Sequence, residues 1–294
     1  MDADEVPAEK RREGWWWKAL LSGLSLWAAV IVVTATTHSS ALIPTLILVG
    51  SFLVPFCVVL FVVERVSGIL RPLDVFMAFL LGGVFGVLGA SLLESDLHPS
   101  PWLYLQVALV EEFVKALILI AVPRSALPRS AAQGGFLGAC VGAGFAAFES
   151  AGYAFNAAVT TKGIDLASLL QSEATRSILA PVCHVLWTAL LGVVIFGAAR
   201  GFTRFRITAG VLGAFVGVVA LHALWDGMQD LSLALASAAT GTRQGEPLAS
   251  GFYVIGLVVV AVTGLASLSL AVRYHEADKK HMGPEAEPGE TPRT

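Results

Sequence analysis

The sequence predicts an all-α protein that crosses a membrane many times. Of its 294 residues, 56% are hydrophobic and only 14% are charged, whereas a soluble domain carries about 25% charged residues. The mean hydropathy is +0.75. Apolar runs of about 20 residues, the length that crosses roughly 30 Å of hydrocarbon as a helix, recur along the chain. They do not alternate between apolar and polar positions, so they predict helices rather than barrel strands.

About eight membrane-spanning helices are predicted, and they form a polytopic helical bundle over residues 15–275. The first begins with three tryptophans at 15–17, a cluster typical of a membrane interface, and its apolar run is too long for a cleaved signal peptide. Polar tails flank the bundle at 1–14 and 276–294, and the second, with three prolines, is expected to be disordered. The predicted spans are 15–37, 41–63, 72–93, 100–122, 132–156, 177–199, 207–231 and 249–273.

The distribution of basic residues predicts the orientation of the bundle. Of the 19 lysines and arginines, 15 fall on one side, three fall on the other, and Lys115 lies inside a span. Basic residues concentrate on the cytoplasmic side, so both termini are expected there, in a protein of the cell membrane. The net charge of −3 gives no sign of a nucleic-acid partner. The longest external connection, 157–176, is a candidate for substrate contact or a simple connector.

Glycines at four-residue spacing predict close packing between helices. Three such faces occur, formed by Gly134, Gly138 and Gly142, by Gly82 and Gly86, and by Gly213 and Gly217.

The fourth span contains two acids and a base near its middle, Glu111, Glu112 and Lys115. An ionisable group at that depth costs at least about 2.5–3.5 kcal/mol, so it needs a partner or a purpose. Lys115 lies four residues after Glu111 and three after Glu112. We expect it to neutralise one of them, and the four-residue spacing favours Glu111. Glu112 would then be free to bind a metal or to take a proton.

Further ionisable residues lie in the next three spans. Glu149 is in the fifth, His184 in the sixth, and His222 with Asp226 in the seventh. Asp226 lies one turn beyond His222, where a carboxylate can orient the imidazole, bind the same ion or polarise a carbonyl. Counted from the external ends at about 1.5 Å per residue, these groups and Glu112 lie roughly 10–18 Å deep. They therefore fit one layer in the external half of the membrane.

Two imidazoles and a carboxylate form a common catalytic zinc shell, and a further glutamate can act as general base toward its water. The helical H-E-x-x-H signature is absent, which excludes the zincin class. A metal-free site is the alternative, in which a glutamate activates water directly while imidazole and Asp stabilise the oxyanion.

These residues resemble the motifs of the PrsW family of intramembrane proteases, which shares a clan with the CAAX prenyl proteases. The resemblance covers about 100–231. It implies a membrane-embedded endopeptidase, and known members cut a single-span anti-sigma factor outside the cytoplasm. The matching motifs are Glu111-Glu112-Phe113-Val114-Lys115, Phe145-x-x-x-Glu149, a lone His184 and His222-x-x-x-Asp226.

The relation to the CAAX proteases leaves the general base open. In those enzymes the first glutamate of the pair looks catalytic, which by analogy favours Glu111, whereas the spacing to Lys115 favours Glu112. They also carry a histidine where Glu149 stands.

The working hypothesis is an intramembrane endopeptidase acting on a membrane-anchored protein in the lipid bilayer. One glutamate of the fourth span is the base, and Asp226 supports His222 or the oxyanion. The alternatives are a proton- or ion-coupled transporter, against which the lack of a visible repeat counts, and a non-catalytic scaffold. In the endopeptidase hypothesis, the residues that bind Zn²⁺ or hold the water are Glu149, His184 and His222.

Overall fold

Every predicted span is helical in the structure. The computed structural model describes residues 14–66, 70–122, 129–161, 163–199, 204–241 and 246–281. Its α-helices are α1 (Trp15–Thr37), α2 (Ile43–Arg65), α3 (Pro72–Glu94), α4 (Leu103–Ala121), α5 (Ala131–Ala158), α6 (Leu166–Leu179), α7 (Leu186–Gly197), α8 (Ala209–Asp226), α9 (Met228–Thr240) and α10 (Glu246–His281). Shorter elements are a 3-10 turn (Ser40–Leu42), an antiparallel hairpin of β1 (Val159–Thr160) and β2 (Gly163–Ile164), and a π turn (Pro181–Val185).

Within the described residues, seven helical segments are long and apolar enough to cross a membrane. They are α1, α2 with its 3-10 turn, α3, α5, α8, most of α10, and a continuous segment made of α6, the π turn and α7. The remaining predicted span, the fourth, is α4, which has 19 residues and carries the three charged side chains in its middle. The polytopic helical bundle is thus confirmed, while the side on which the termini lie stays a prediction.

The centre of the bundle is α5, which packs against α2, α3 and α7. It begins with a capping box in which Ser130 and Gln133 satisfy each other's backbone N–H groups. The predicted faces on α5 and α3 are confirmed. A Cβ on Gly134, Gly138 or Gly142 would lie 2.1–2.2 Å from a carbonyl oxygen of α7 or the π turn, and a Cβ on Gly82 would lie 2.5 Å from the Val141 oxygen.

The third predicted glycine face is wrong. A Cβ on Gly213 or Gly217 of α8 would meet nothing within 4 Å. The buried side of α8 instead carries Val218, Val219 and His222, so this helix packs through larger side chains and leaves its glycines on the outside.

The predicted connection 157–176 is not an irregular loop, because most of it is the hairpin and α6. Its external position and its contact with a substrate stay predictions. Asp165 begins α6 by accepting a hydrogen bond from the backbone N–H of Ser168 at 3.0 Å. This bond lowers the pKa of the Asp165 carboxyl. Polar residues interrupt the apolar character of α6, so a search for long apolar runs passes over it.

Two helices end at residues other than those predicted. The seventh span ends at Asp226 rather than at 231, because the chain turns at Gly227 and continues as α9. The last helix continues to His281, beyond the predicted end of the bundle. Residues 1–13 and 282–294 of the predicted polar tails lie outside the described residues.

Candidate active site

The ammonium of Lys115 lies fully buried among the predicted site residues. Its Nζ donates to Glu111 Oε2 at 3.0 Å, to Glu112 Oε1 at 2.9 Å and to His184 Nδ1 at 2.8 Å. The ring of Phe145 lies beneath it, 3.9 Å from Nζ to the centroid. The prediction that Lys115 leaves one carboxylate free is wrong, since the four-carbon stem lets the ammonium reach both.

These contacts assign the protonation of His184. An ammonium has only donors, so Nδ1 of His184 must be the acceptor in its contact with Lys115. The proton of the neutral ring is therefore on Nε2, which donates to Glu149 Oε2 at 2.9 Å. Glu149 thus fixes both the tautomer and the orientation of His184.

His222 lies between carboxylates on two helices. Its Nδ1 is 2.9 Å from Glu112 Oε1, and its Nε2 is 3.2 Å from Asp226 Oδ2. The ring also packs against Trp187, with 5.0 Å between centroids. The contact predicted between His222 and Asp226 is present, and Glu112 adds a second one from α4.

Arg176 also belongs to this site, although it is not among the predicted site residues. Arg176 is on α6, forms an ion pair with Glu149, donates from Nε to Ser150 Oγ at 2.9 Å, and lies over the ring of Tyr153. The predicted spans leave Arg176 in the connection 157–176, outside the membrane-spanning helices. The signal that could have found it is Asp165, a good helix N-cap 11 residues earlier in the chain.

One edge of the cluster is accessible. The side chains of Glu112 and Lys115 are 0% exposed, whereas those of Glu149, Arg176 and Asp226 are 17%, 22% and 31% exposed. These three side chains therefore form the accessible edge of the cluster.

The π turn places His184 in the cluster. It begins at Pro181, which has no N–H for the helical hydrogen bond, and so permits the wider turn between α6 and α7. On the other side, Gly142 of α5 lets the π turn approach closely, because a Cβ there would lie 2.2 Å from the His184 carbonyl oxygen. Helix packing and the wide turn together fix the backbone of His184.

Four buried side chains bring metal-binding atoms close together. One ligand atom from each lies within 4.8 Å of the others, and the donors are the imidazole nitrogens and carboxylate oxygens that zinc accepts. Two of the three predicted ligands, His184 and His222, belong to this group. Glu149 is outside it and is held by Arg176 instead. The four residues are Glu111, Glu112, His184 and His222.

The charge of the wider cluster fits a divalent cation. Its four carboxylates face the cations of Lys115 and Arg176, which leaves two negative charges when both histidines are neutral. Glu112 Oε2 is buried and has no hydrogen-bond partner among the described residues. Lys115 contacts three of the four candidate ligands, so an ion bound there would compete with its ammonium. We conclude that the residues fit a metal.

A large apolar cavity lies apart from this cluster. Its volume is about 780 Å³, and the helices around it are α1, α2, α5, α7 and α10. Among the described residues, Glu276 is the one charged residue in its lining, and none of the cluster's ionisable groups reaches it. The clustered ionisable groups therefore do not open into this cavity.

Comparison with known proteins agrees with this geometry. Residues 71–264, about two-thirds of the chain, match the model of a family described as PrsW family intramembrane metalloprotease. The matched range contains all six predicted catalytic residues. No curated protein and no solved structure matches the chain.

Proposed function

The chain belongs to the PrsW family of intramembrane metalloproteases, and we propose that it hydrolyses a peptide bond of a membrane-anchored protein with the Glu/His cluster as its catalytic site. The observation that carries the proposal is the buried group of four ligand-type side chains within 4.8 Å of one another. Family membership and the seven apolar spans support a multi-pass integral membrane protease over a transporter.

We assign the general base to Glu111. Its Oε2 lies 3.7 Å from His222 Nε2 and 3.9 Å from His184 Nδ1. The Lys115 ammonium already bridges Glu111 Oε2 and His184 Nδ1. The 3.7 Å to His222 Nε2 is too long for a direct hydrogen bond and leaves that side of the Glu111 carboxylate open to a water. Glu111 takes a proton from this water as the water attacks the peptide carbonyl, and then gives the proton to the leaving amine.

The remaining residues would hold and orient the reacting groups. Glu112, His184 and His222 would bind Zn²⁺, which when bound polarises a carbonyl and makes its water more acidic. Glu149, held by Arg176, keeps His184 in its tautomer, and Asp226 orients His222.

The substrate we propose is a single-span protein of the cell membrane, such as an anti-sigma factor. Two considerations support it: the resemblance of the motifs to that family, and the depth predicted for the cluster from the sequence, in the external half of the bilayer. Glu149, Arg176 and Asp226 form the accessible edge, where polar groups can meet the backbone of an unwound segment.

A comparison of cell membranes tests the function. Membranes that contain the wild type are compared with membranes that contain equal amounts of His222→Ala, by mass spectrometry of protein termini. We expect new termini in one or a few single-span proteins only with the wild type, and cleavage of the same protein after reconstitution of both in liposomes. Identical termini in both membranes, with both forms inserted, would contradict the proposal.

Metal content tests the assignment of the ligands. Mass spectrometry of protein purified in detergent without chelators should find about one zinc per chain in the wild type. His222→Ala should lose it, and the matched control His98→Ala, at an exposed residue outside the cluster, should keep it. Active protein without metal would instead favour the glutamate-type mechanism, in which the histidines and Asp226 position the water and the oxyanion.

Gly142→Ala should reduce cleavage by about 100-fold, the effect expected when a catalytic group moves by about 1 Å. The added Cβ must displace the carbonyl of His184, whereas Gly213→Ala adds the same atom into open space and should retain activity. Rates are measured on the reconstituted substrate, with thermal unfolding as a check on the fold. Equal rates for the two variants would show that the close approach does not fix His184.

A further inference from the structure

A second buried carboxylate lies outside the catalytic cluster. Glu173 of α6 is 1% exposed, and its Oε2 accepts a hydrogen bond from Trp27 Nε1 of α1 at 2.9 Å. Its Oε1 is buried and has no hydrogen-bond partner among the described residues. The carboxylate lies against Gly50 of α2, where a Cβ would be 2.3–2.4 Å from its atoms. Three helices thus meet at this side chain.

The same helix carries Arg176 one turn further on. While Glu173 contacts α1 and α2, Arg176 contacts Glu149 and Ser150 of α5. The position of α6 is therefore fixed from two sides, and one of these sides holds a residue of the catalytic cluster.

An apolar cluster surrounds the Glu173 contact and joins the same helices. Partly buried residues of α1, including Trp27, pack against it. Its buried members come from α2, α5 and α6 and are Ile43, Leu46, Ile47, Ala154, Ala158 and Leu169. Movement of α1 or α2 relative to α5 must therefore disturb α6.

The helices that hold Glu173 lie outside the family-matched part of the chain. The match begins at residue 71, whereas α1 and α2 end at Thr37 and Arg65. Trp27 and Gly50 therefore contact the matched part from a hairpin that lies outside the matched residues.

We propose that the α1–α2 hairpin is a positioning element for the catalytic site, with Trp27 and Glu173 as its positioning residues. By holding α6, they keep Arg176 on Glu149, and Glu149 in turn keeps His184 in its tautomer. Placing a carboxylate inside the membrane costs at least about 2.5–3.5 kcal/mol of insertion free energy. Holding α6 in position is a function that would account for a carboxylate at this place. The inference rests on the proposed function.

The test uses Trp27→Phe, which removes the N–H donor and keeps a ring, and Gly50→Ala, which pushes on the carboxylate. Both should lower kcat by about 10- to 100-fold on the reconstituted substrate, because the disturbance reaches the His184 tautomer through Arg176 and Glu149. The matched controls are Trp102→Phe, at a residue 67% exposed, and Gly251→Ala, whose Cβ meets open space. Both controls should retain the wild-type rate.

Two further measurements separate positioning from general stability. Glu173→Gln keeps an acceptor for Trp27 and should retain activity, whereas Glu173→Leu should lose it. Trp27→Phe combined with Arg176→Gln should be no slower than Arg176→Gln alone, because both act through the same contact. Hydrogen exchange should accelerate in peptides from 166–179 of Trp27→Phe and stay unchanged in α3.

Several outcomes would overturn the inference. They are wild-type kcat in Trp27→Phe and Gly50→Ala, additive losses in the double variant, or unchanged exchange in α6. A wild type that cleaves no membrane protein would instead refute the proposed function, so the two failures can be told apart.

Discussion

Glu111→Gln should lower the rate of cleavage by roughly 100- to 10,000-fold, the usual contribution of a general base. The amide keeps the size of the side chain and can still accept a hydrogen bond from Lys115, but it cannot take a proton from water. The fold should survive, because Glu112 still compensates the ammonium. The measurement is single-turnover cleavage of the reconstituted substrate, with thermal unfolding recorded on the same preparation.

Glu112→Gln is the matched control, since it is the same substitution at the neighbouring residue. It should also be inactive, but for another reason. Glu112 contacts His222 and is a proposed zinc ligand, so this variant should lose zinc, whereas Glu111→Gln should retain it. Full zinc in Glu112→Gln together with activity in Glu111→Gln would reverse the two roles, which the sequence alone had left open.

The spans could be predicted because a hydrocarbon layer allows few alternatives. A run of apolar residues must be about 20 long to cross it as a helix, and α1 begins and ends at the predicted residues. Contacts within one helix could also be predicted, because helix geometry decides which residues are neighbours. Spacings of three and four residues put Lys115 near both glutamates of α4 and Asp226 near His222.

Contacts between helices could be predicted only in part. Depth placed Glu149, His184 and His222 in one layer, but not which side chain each would meet. The partner of Glu149 is Arg176, on a helix whose polar residues hide it from a search for apolar runs. Arg176 of α6 and His184 of the π turn that follows it both lie in this layer, and the side chains that they meet depend on the packing of α5.

Lys115 carries the second large prediction. The Lys115 side chain is 0% exposed, and its ammonium donates hydrogen bonds to both glutamates of α4, at 3.0 and 2.9 Å. Removing one partner of a buried ion pair costs about 3–5 kcal/mol, since the charge that remains is uncompensated. Lys115→Met should therefore lower the stability of the apo protein by about that amount, measured as thermal unfolding in detergent.

The control is Lys18→Met, because Lys18 is exposed and contacts only the faces of Trp15 and Trp17 among its described neighbours. An exposed cation–π contact is worth about 0.5–1 kcal/mol, so this variant should unfold close to the wild-type temperature.

A partial rescue would identify the cause of the loss. Lys115→Met combined with Glu112→Gln removes one of the two uncompensated charges and should recover part of the lost stability. Because Lys115 and a metal compete for the same carboxylates, excess Zn²⁺ should also stabilise Lys115→Met, and a chelator should reverse the effect. If Lys115→Met unfolds at the wild-type temperature in the presence of chelator, the ammonium is not what compensates these carboxylates. The count of charges in the cluster would then be wrong, and the case for a divalent cation would lose that support.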